Sequence, residues 1–197
     1  MPQKTDRELF EAARQGDAEA FGVLVRRHQK RIFRLAVHML KDPAEAEDVT
    51  QDTFVRAYGA LARFDGRSEP FTWIYRIAVN LSLNAIRSRK SRRAGPAADD
   101  PRIEGQLVDR NATSGDPAGS ASDRQLAAAL LDGIDSLSET LRTTLILVAV
   151  EGLSHGQAAE ILGCPEGTIA WRVHEARRKL RLHLNEHGHG SEGGNDP

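Results

Sequence analysis

Between residues 94 and 123 the chain reads AGPAADDPRIEGQLVDRNATSGDPAGSASD, rich in Ala, Gly, Pro, Ser and Asp and nearly free of large apolar side chains. Such a stretch cannot bury enough surface to offset the entropy of ordering it. It therefore divides the 197 residues into two separate folding problems, 1–93 and 124–186, with a polar tail at 187–197. On both sides the apolar residues recur at three-four spacing, and the aromatics that favour strands make up only 5% of the chain. The expected fold class is all-α: two small helical domains joined by a flexible linker, 94–123. One cysteine leaves no internal disulfide and fits a reducing cytosol. The opening MPQKTDRELFEAARQGD lacks the apolar segment of a signal peptide, and no run approaches the roughly 18 apolar residues of a membrane span. A cytoplasmic protein without membrane insertion is expected.

Charge is unevenly shared. Residues 1–93 hold 18 basic and 12 acidic side chains, net +6. Residues 94–123 hold 2 and 6, net −4, and residues 124–197 hold 7 and 10, net −3. Yet the most basic-looking helix of the last block lies at its centre, in GLSHGQAAEILGCPEGTIAWRVHEARRKL (152–180). Ser154 and Gln157 have the S-x-x-Q spacing of a capping box, Gly163 marks a helix end, and Pro165 suits the first turn of the next helix. Ala158, Ile161 and Leu162 supply the buried stripe of the first helix; Ile169, Val173, Ala176 and Leu180 supply that of the second. The opposite face of the second helix carries Thr168, Trp171, His174, Glu175 and Arg178, edged by Arg172 and Lys179. A small bundle with a solvated charged face is one reading of this pattern. An exposed Trp is costly unless something covers it, which favours a helix-turn-helix that docks on DNA.

Residues 70–93, PFTWIYRIAVNLSLNAIRSRKSRR, split as cleanly. Phe71, Ile74, Ala78, Leu81 and Ala85 fall on one side. Trp73, Arg76, Asn80, Asn84 and Arg87 fall on the other, followed by Arg89, Lys90, Arg92 and Arg93. Aromatic, amide and guanidinium groups on one face can stack on unpaired bases, bond their edges and neutralise phosphate. The competing reading makes Trp73 partly core and Asn80 and Asn84 merely solvated.

Upstream, DPAEAEDVTQDTFVRAYGAL (42–61) starts with Asp42 as cap, Pro43 at the first position and Glu45 at the third. Ala46, Phe54, Ala57, Tyr58 and Leu61 form its apolar side, while Asp48, Gln51, Asp52 and Val55 stand together elsewhere. An acidic face would repel phosphate on an otherwise basic domain. Unless it is simply solvated, it suggests a protein partner.

Taken together these motifs resemble the extracytoplasmic-function group of bacterial sigma factors, the two-domain specificity subunits of RNA polymerase. AEDVTQDTFVRAY is similar to the family's core-polymerase-binding helix, and FTWIYRIAVNLSLNAIR to its helix for melting and reading the −10 element. The 152–180 segment resembles its −35-reading helix-turn-helix. The resemblance covers roughly residues 8–93 and 124–184. It implies that Asp48, Gln51, Asp52 and Val55 meet the clamp helices of the polymerase's largest subunit, and that Trp73, Arg76, Asn80, Asn84 and Arg87 lie along the −10 strand. It also implies that the loop from Arg63 through Asp65 to Glu69 pockets a flipped −10 base, at a cost of a few kcal/mol per step. At the −35 face it implies Thr168, Ala170, Trp171, Arg172, His174, Glu175 and Arg178. Three of these depart from the family's pattern: Ala170 and Trp171 replace a frequent basic-then-small pair, and Glu175 replaces a frequent Arg. Trp171 is placed to pack on a thymine methyl. Core RNA polymerase, promoter DNA and an anti-sigma factor are the implied partners.

Chain reach agrees with such a role. Thirty flexible residues span roughly 30 Å on average and roughly 100 Å fully extended. Promoter elements about 17 base pairs apart lie roughly 58 Å apart. The linker bridges them only when stretched, as a tether held by a large partner. A second domain of net −3 should bind DNA weakly alone, whereas a free-standing dimeric regulator, the competing function, needs its own phosphate contacts. No nucleotide loop, nucleophile–base pair or metal-ligand spacing occurs in either domain, so neither an enzyme, a cofactor nor a small-molecule substrate is expected. In the tail His183, His187 and His189 lie close together, a cluster read as disordered rather than metal-binding. Cys164 is read as a small packing residue in the hinge.

Overall fold

The structure, a computed structural model, describes residues 4–64, 66–93 and 121–187. Asp65, most of the expected linker (94–120) and the tail from 188, with His189, lie outside the described residues. The described residues are helical, with no strand among them. They divide into two compact units, the first containing the four helices before residue 94 and the second the helices after 120 apart from Glu160–Gly163.

In the first unit α1 (Asp6–Arg14) opens in a capping box. The Thr5 hydroxyl accepts from the Glu8 amide at 3.2 Å, and the Glu8 carboxylate accepts from the Thr5 amide at 2.7 Å. That amide, and then the Thr5 hydroxyl, hold the Glu8 carboxyl below the usual carboxylate range. α2 (Ala18–Leu40) is capped by Asp17, whose carboxylate accepts from the Ala20 amide at 3.0 Å. It ends at Lys41, which is left-handed (φ 59°) and returns its amide to the Val37 carbonyl at 2.8 Å. Asp42 then caps α3 (Pro43–Ala60), accepting from the Ala44 and Glu45 amides at 2.9 and 3.2 Å. Only two residues connect α2 and α3, so the helices pack side by side. A single 3₁₀ turn (Leu61–Arg63) and a loop lead to α4 (Pro70–Arg93).

α2 is the centre of this unit, touching α1, α3 and α4. Its Ala36 and Leu40 join Ala46 and Val49 of α3 in one cluster, against which Leu81, Ala85 and Ile86 of α4 pack. Two buried hydroxyls are satisfied within their own helices: Thr53 donates to the Val49 carbonyl at 2.7 Å and Ser82 to the Ala78 carbonyl at 2.9 Å. α1 is anchored by Asp6, whose carboxylate pairs with the Arg27 guanidinium and lies 2.7 Å from His28 Nε2.

In the second unit α5 (Ala121–Ser136) starts three residues inside the expected linker; Ala121, Ser122 and Asp123 are already helical. α6 (Glu139–Leu145) runs into a short π-helical stretch, Ile146–Val150, closed by the Glu151 amide on the Ile146 carbonyl at 2.9 Å. α7 (His155–Leu162) and α8 (Glu166–Glu186) follow. α8 packs against both α5 and α6: Ala176 and Leu180 join Leu137, Leu141 and Leu145 in the core, with Ile134 against them. Ile169 and Val173 are buried as well, each contributing about 1.5–3 kcal/mol.

The hinge between α7 and α8 follows the expected chemistry. The Ser154 amide donates to Gln157 Oε1 at 3.0 Å and the Gln157 amide donates to Ser154 Oγ at 3.2 Å, a complete capping box. Gly163, at φ +63°, takes the left-handed turn a β-carbon would strain. Pro165 occupies the N-cap of α8, one position earlier than the first turn expected for it.

Candidate polymerase and nucleic-acid interfaces

Along α3 the side chains of Asp48, Gln51, Asp52 and Val55 are all exposed, at helical spacings of three, one and three. Val55 is 70% exposed, so the strip carries a large apolar group as well as two carboxylates. Tyr58, expected on the buried side, is instead half-exposed and extends this strip by one turn. The α2 ring Phe21 packs against the Tyr58 ring at 5.1 Å and covers part of it only. The inner face is Ala46, Val49, Thr53, Phe54 and Ala57, at successive spacings of three, four, one and three.

On α4, Asn80, Asn84 and Arg87 are exposed as expected, the two amides one turn apart, and Arg76 is half-buried. Trp73 does not stand free beside them. Its ring meets Phe10 edge-on at 5.4 Å and Phe64 at 5.3 Å, and those two rings lie 4.6 Å apart. Trp73 is thus partly covered, packed on one side by these rings and still half-exposed on α4. The cause is α1, which brings the buried Phe10 to the start of α4. Arg89 is also diverted from the basic run: its guanidinium lies 3.3–3.4 Å from the Leu40 carbonyl and 3.6 Å from the Glu45 carboxylate. A cation there complements the C-terminus of α2.

Arg63, at the end of the 3₁₀ turn, is exposed. Beside the loop that follows is a small cleft lined by Arg7, Phe10 and Glu11 of α1 with Phe64, Gly66 and Pro70. Arg7 ties α1 to the far end of the loop through Glu69, at 2.9 Å. The α1 side of this cleft was missed in the sequence. Its signal was present, since Thr5-x-x-Glu8 is a capping box ahead of Leu9, Phe10 and Ala13.

α8 buries the expected stripe and exposes part of the opposite face. Ile169, Val173, Ala176 and Leu180 are buried, whereas Trp171 is 62% exposed and Ala170, His174 and Arg178 are exposed beside it. Thr168, Arg172 and Glu175 are half-buried along the edges. Arg172 Nη1 lies 3.6 Å from the Cys164 sulfur, which holds it toward the hinge. Arg178 grips Glu175 with two bonds, Nε to Oε2 and Nη2 to Oε1, both 2.8 Å. Hydrogen bonding from Arg178 holds the Glu175 carboxyl below the usual carboxylate range. No group of three metal-ligating side chains, and no helix long and apolar enough to cross a membrane, occurs among the described residues. His183 and His187 stack on each other at 4.2 Å.

Comparison with known proteins gives these surfaces a context. Residues 24–92 match the family model for sigma-70 region 2, and residues 127–180 that for sigma-70 region 4. The RNA polymerase sigma-H factor of Pseudomonas aeruginosa is 36% identical over 183 residues, covering 91% of this chain and 94% of that protein. The ECF RNA polymerase sigma-E factor of Escherichia coli K12 is 33% identical over 181 residues, covering 90% and 93%. Among solved structures, CnrH in complex with the cytosolic domain of CnrY superposes with a TM-score of 0.67 at 26% identity, covering 93% of this chain and 99% of that one. The sigma factor RpoE of Bartonella quintana, bound to the anti-sigma factor NepR, gives 0.60 at 28%, covering 83% and 93%. With both regions matched in this order, and these relatives aligning over about nine-tenths of the chain, the protein belongs to the extracytoplasmic-function group of bacterial sigma factors.

Proposed function

We propose that this sigma factor docks on core RNA polymerase through the exposed strip of α3 and divides promoter reading between its two units. Asp48, Gln51, Asp52 and Val55, extended by Tyr58, form the polymerase contact. Asn80, Asn84 and Arg87, with Arg76 beside them, read and hold the opened −10 strand. A base extruded from that strand enters the loop after Arg63, against the cleft lined by Phe10, Phe64 and Pro70, where ring contact offsets the unstacking cost of a few kcal/mol. Thr168, Ala170, Trp171, Arg172, His174, Glu175 and Arg178 meet the duplex at −35, with α8 in the major groove. The phosphodiester chemistry belongs to the polymerase, so the sigma factor supplies recognition and no catalytic group. Its site of action is the cytoplasm, where polymerase and promoters are. CnrH and RpoE of Bartonella quintana are held by CnrY and by NepR; by analogy an inhibitory protein covers this chain's polymerase- and DNA-binding faces until a signal removes it.

One observation carries the reading: Val55, 70% exposed one turn beyond the carboxylates of Asp48 and Asp52, on a unit that is otherwise net positive. An autonomous DNA-binding regulator gains nothing from that face, whereas a subunit of a larger enzyme does. Asp52→Lys should abolish capture of core polymerase while leaving the far-ultraviolet circular dichroism and melting temperature unchanged. Capture at wild-type strength would overturn the assignment of α3.

A further inference from the structure

Arg178 looks at first like a phosphate contact, and Glu175 like a liability in a groove walled by phosphates. Their geometry suggests another division of work. Thr168, Trp171, Glu175 and Arg178 recur at spacings of three, four and three, so all lie on the side of α8 away from its buried stripe, with Thr168 and Glu175 half-buried at its edge. The two bonds of 2.8 Å between Arg178 and Glu175 form a planar fork on a carboxylate. The fork fixes the orientation of the Glu175 side chain and cancels its charge toward DNA. A carboxylate has about four acceptor sites and this fork fills two, one on each oxygen. The remaining pair keeps its accepting character, because Arg178 favours the ionised form.

We propose that Glu175, held by Arg178, accepts a hydrogen bond from a cytosine amino group in the −35 duplex, and that Arg178 acts as its positioning residue. The inference rests on α8 being the −35 reader. Cytosine is the base whose major-groove edge is a donor alone. Adenine also offers an amino group, but its N7 acceptor lies next to it and would face the second carboxylate oxygen. The carboxylate thus selects a base that the frequent arginine of related proteins, a donor, would not.

The test is selection from a randomised −35 library by reconstituted holoenzyme, at two or more salt concentrations. Wild type should enrich cytosine at one position. Glu175→Gln should lose that preference by about tenfold and move toward adenine, whose N6 and N7 pair with an amide. Arg178→Ala and Arg178→Lys should both weaken cytosine preference at the same position, because lysine keeps the charge but not the fork. The proposal is overturned if Arg178→Ala weakens all sequences alike, lowers the salt slope by about one unit and is rescued by lysine. It is equally overturned if Glu175→Gln leaves the preference unchanged, or if wild type enriches adenine there. A wild-type library with no preference anywhere upstream would instead remove the −35 role of α8 itself, and this inference with it.

Discussion

α4 and α8 are both long helices that carry a tryptophan and a run of basic residues in their C-terminal half, but they are built into their units differently. α4 touches α1, α2 and α3. Its buried set therefore covers more than one face, with Tyr75, Val79 and Ser82 added to Ile74 and Ala78, and its tryptophan is drawn into a cluster with Phe10 and Phe64. α8 touches α5 and α6 through a narrow stripe and leaves Trp171 62% exposed. A helix embedded on several sides cannot be inserted into a groove; a strand must come to it. A helix held by one stripe can enter a major groove about 12 Å wide. This difference in packing supports the proposed division between a surface for opened DNA and one for duplex.

The strongest way to sharpen this contrast is to remove a ring that packs against Trp73. Phe10→Ala should cost the first unit about 3–5 kcal/mol. The chain has two tryptophans, one per unit, so Trp171→Phe and Trp73→Phe backgrounds isolate the emission of each. The variant should shift that of Trp73 to longer wavelength and leave that of Trp171 in place. A melting curve identical to wild type would show that α1 is not part of the first unit's core.

A smaller change probes the hinge that aims α8. Ser154→Ala removes the hydroxyl that accepts from Gln157 and should destabilise the second unit by about 1 kcal/mol. Its unfolding midpoint in urea should fall while that of the first unit stays fixed. Equal shifts in both midpoints would mean that the units do not unfold separately.

Much of this contrast was legible in the sequence where the determinants are local. Ser154, Gln157, Gly163 and the four-residue stripe of α8 act within a few turns of one another, and each behaves as its spacing requires. Asp42 caps α3 for the same reason. What escaped was set by contacts distant in the chain. Trp73 is covered by Phe10, 63 positions earlier; Tyr58 is only half-covered by Phe21; Arg89 is claimed by a helix end at Leu40. A helical wheel ranks faces by composition and cannot say how many neighbours a helix will have. It therefore succeeds for α8, with one stripe to bury, and falls short for α4.

The central claim is that the first unit acts on opened DNA and the second on duplex. Run-off transcription and permanganate footprinting with Asn80→Ala and Trp171→Ala, on duplex and on templates already unpaired at −10, test it most directly. Both positions are exposed, so neither change should move stability by more than about 0.5 kcal/mol. Asn80→Ala should fail to open duplex, and pre-melting should restore only part of its activity, because a base contact worth roughly 1–3 kcal/mol is still missing. Trp171→Ala should show the same defect on both templates. Normal opening of duplex by Asn80→Ala, or rescue of Trp171→Ala by pre-melting, would contradict the division.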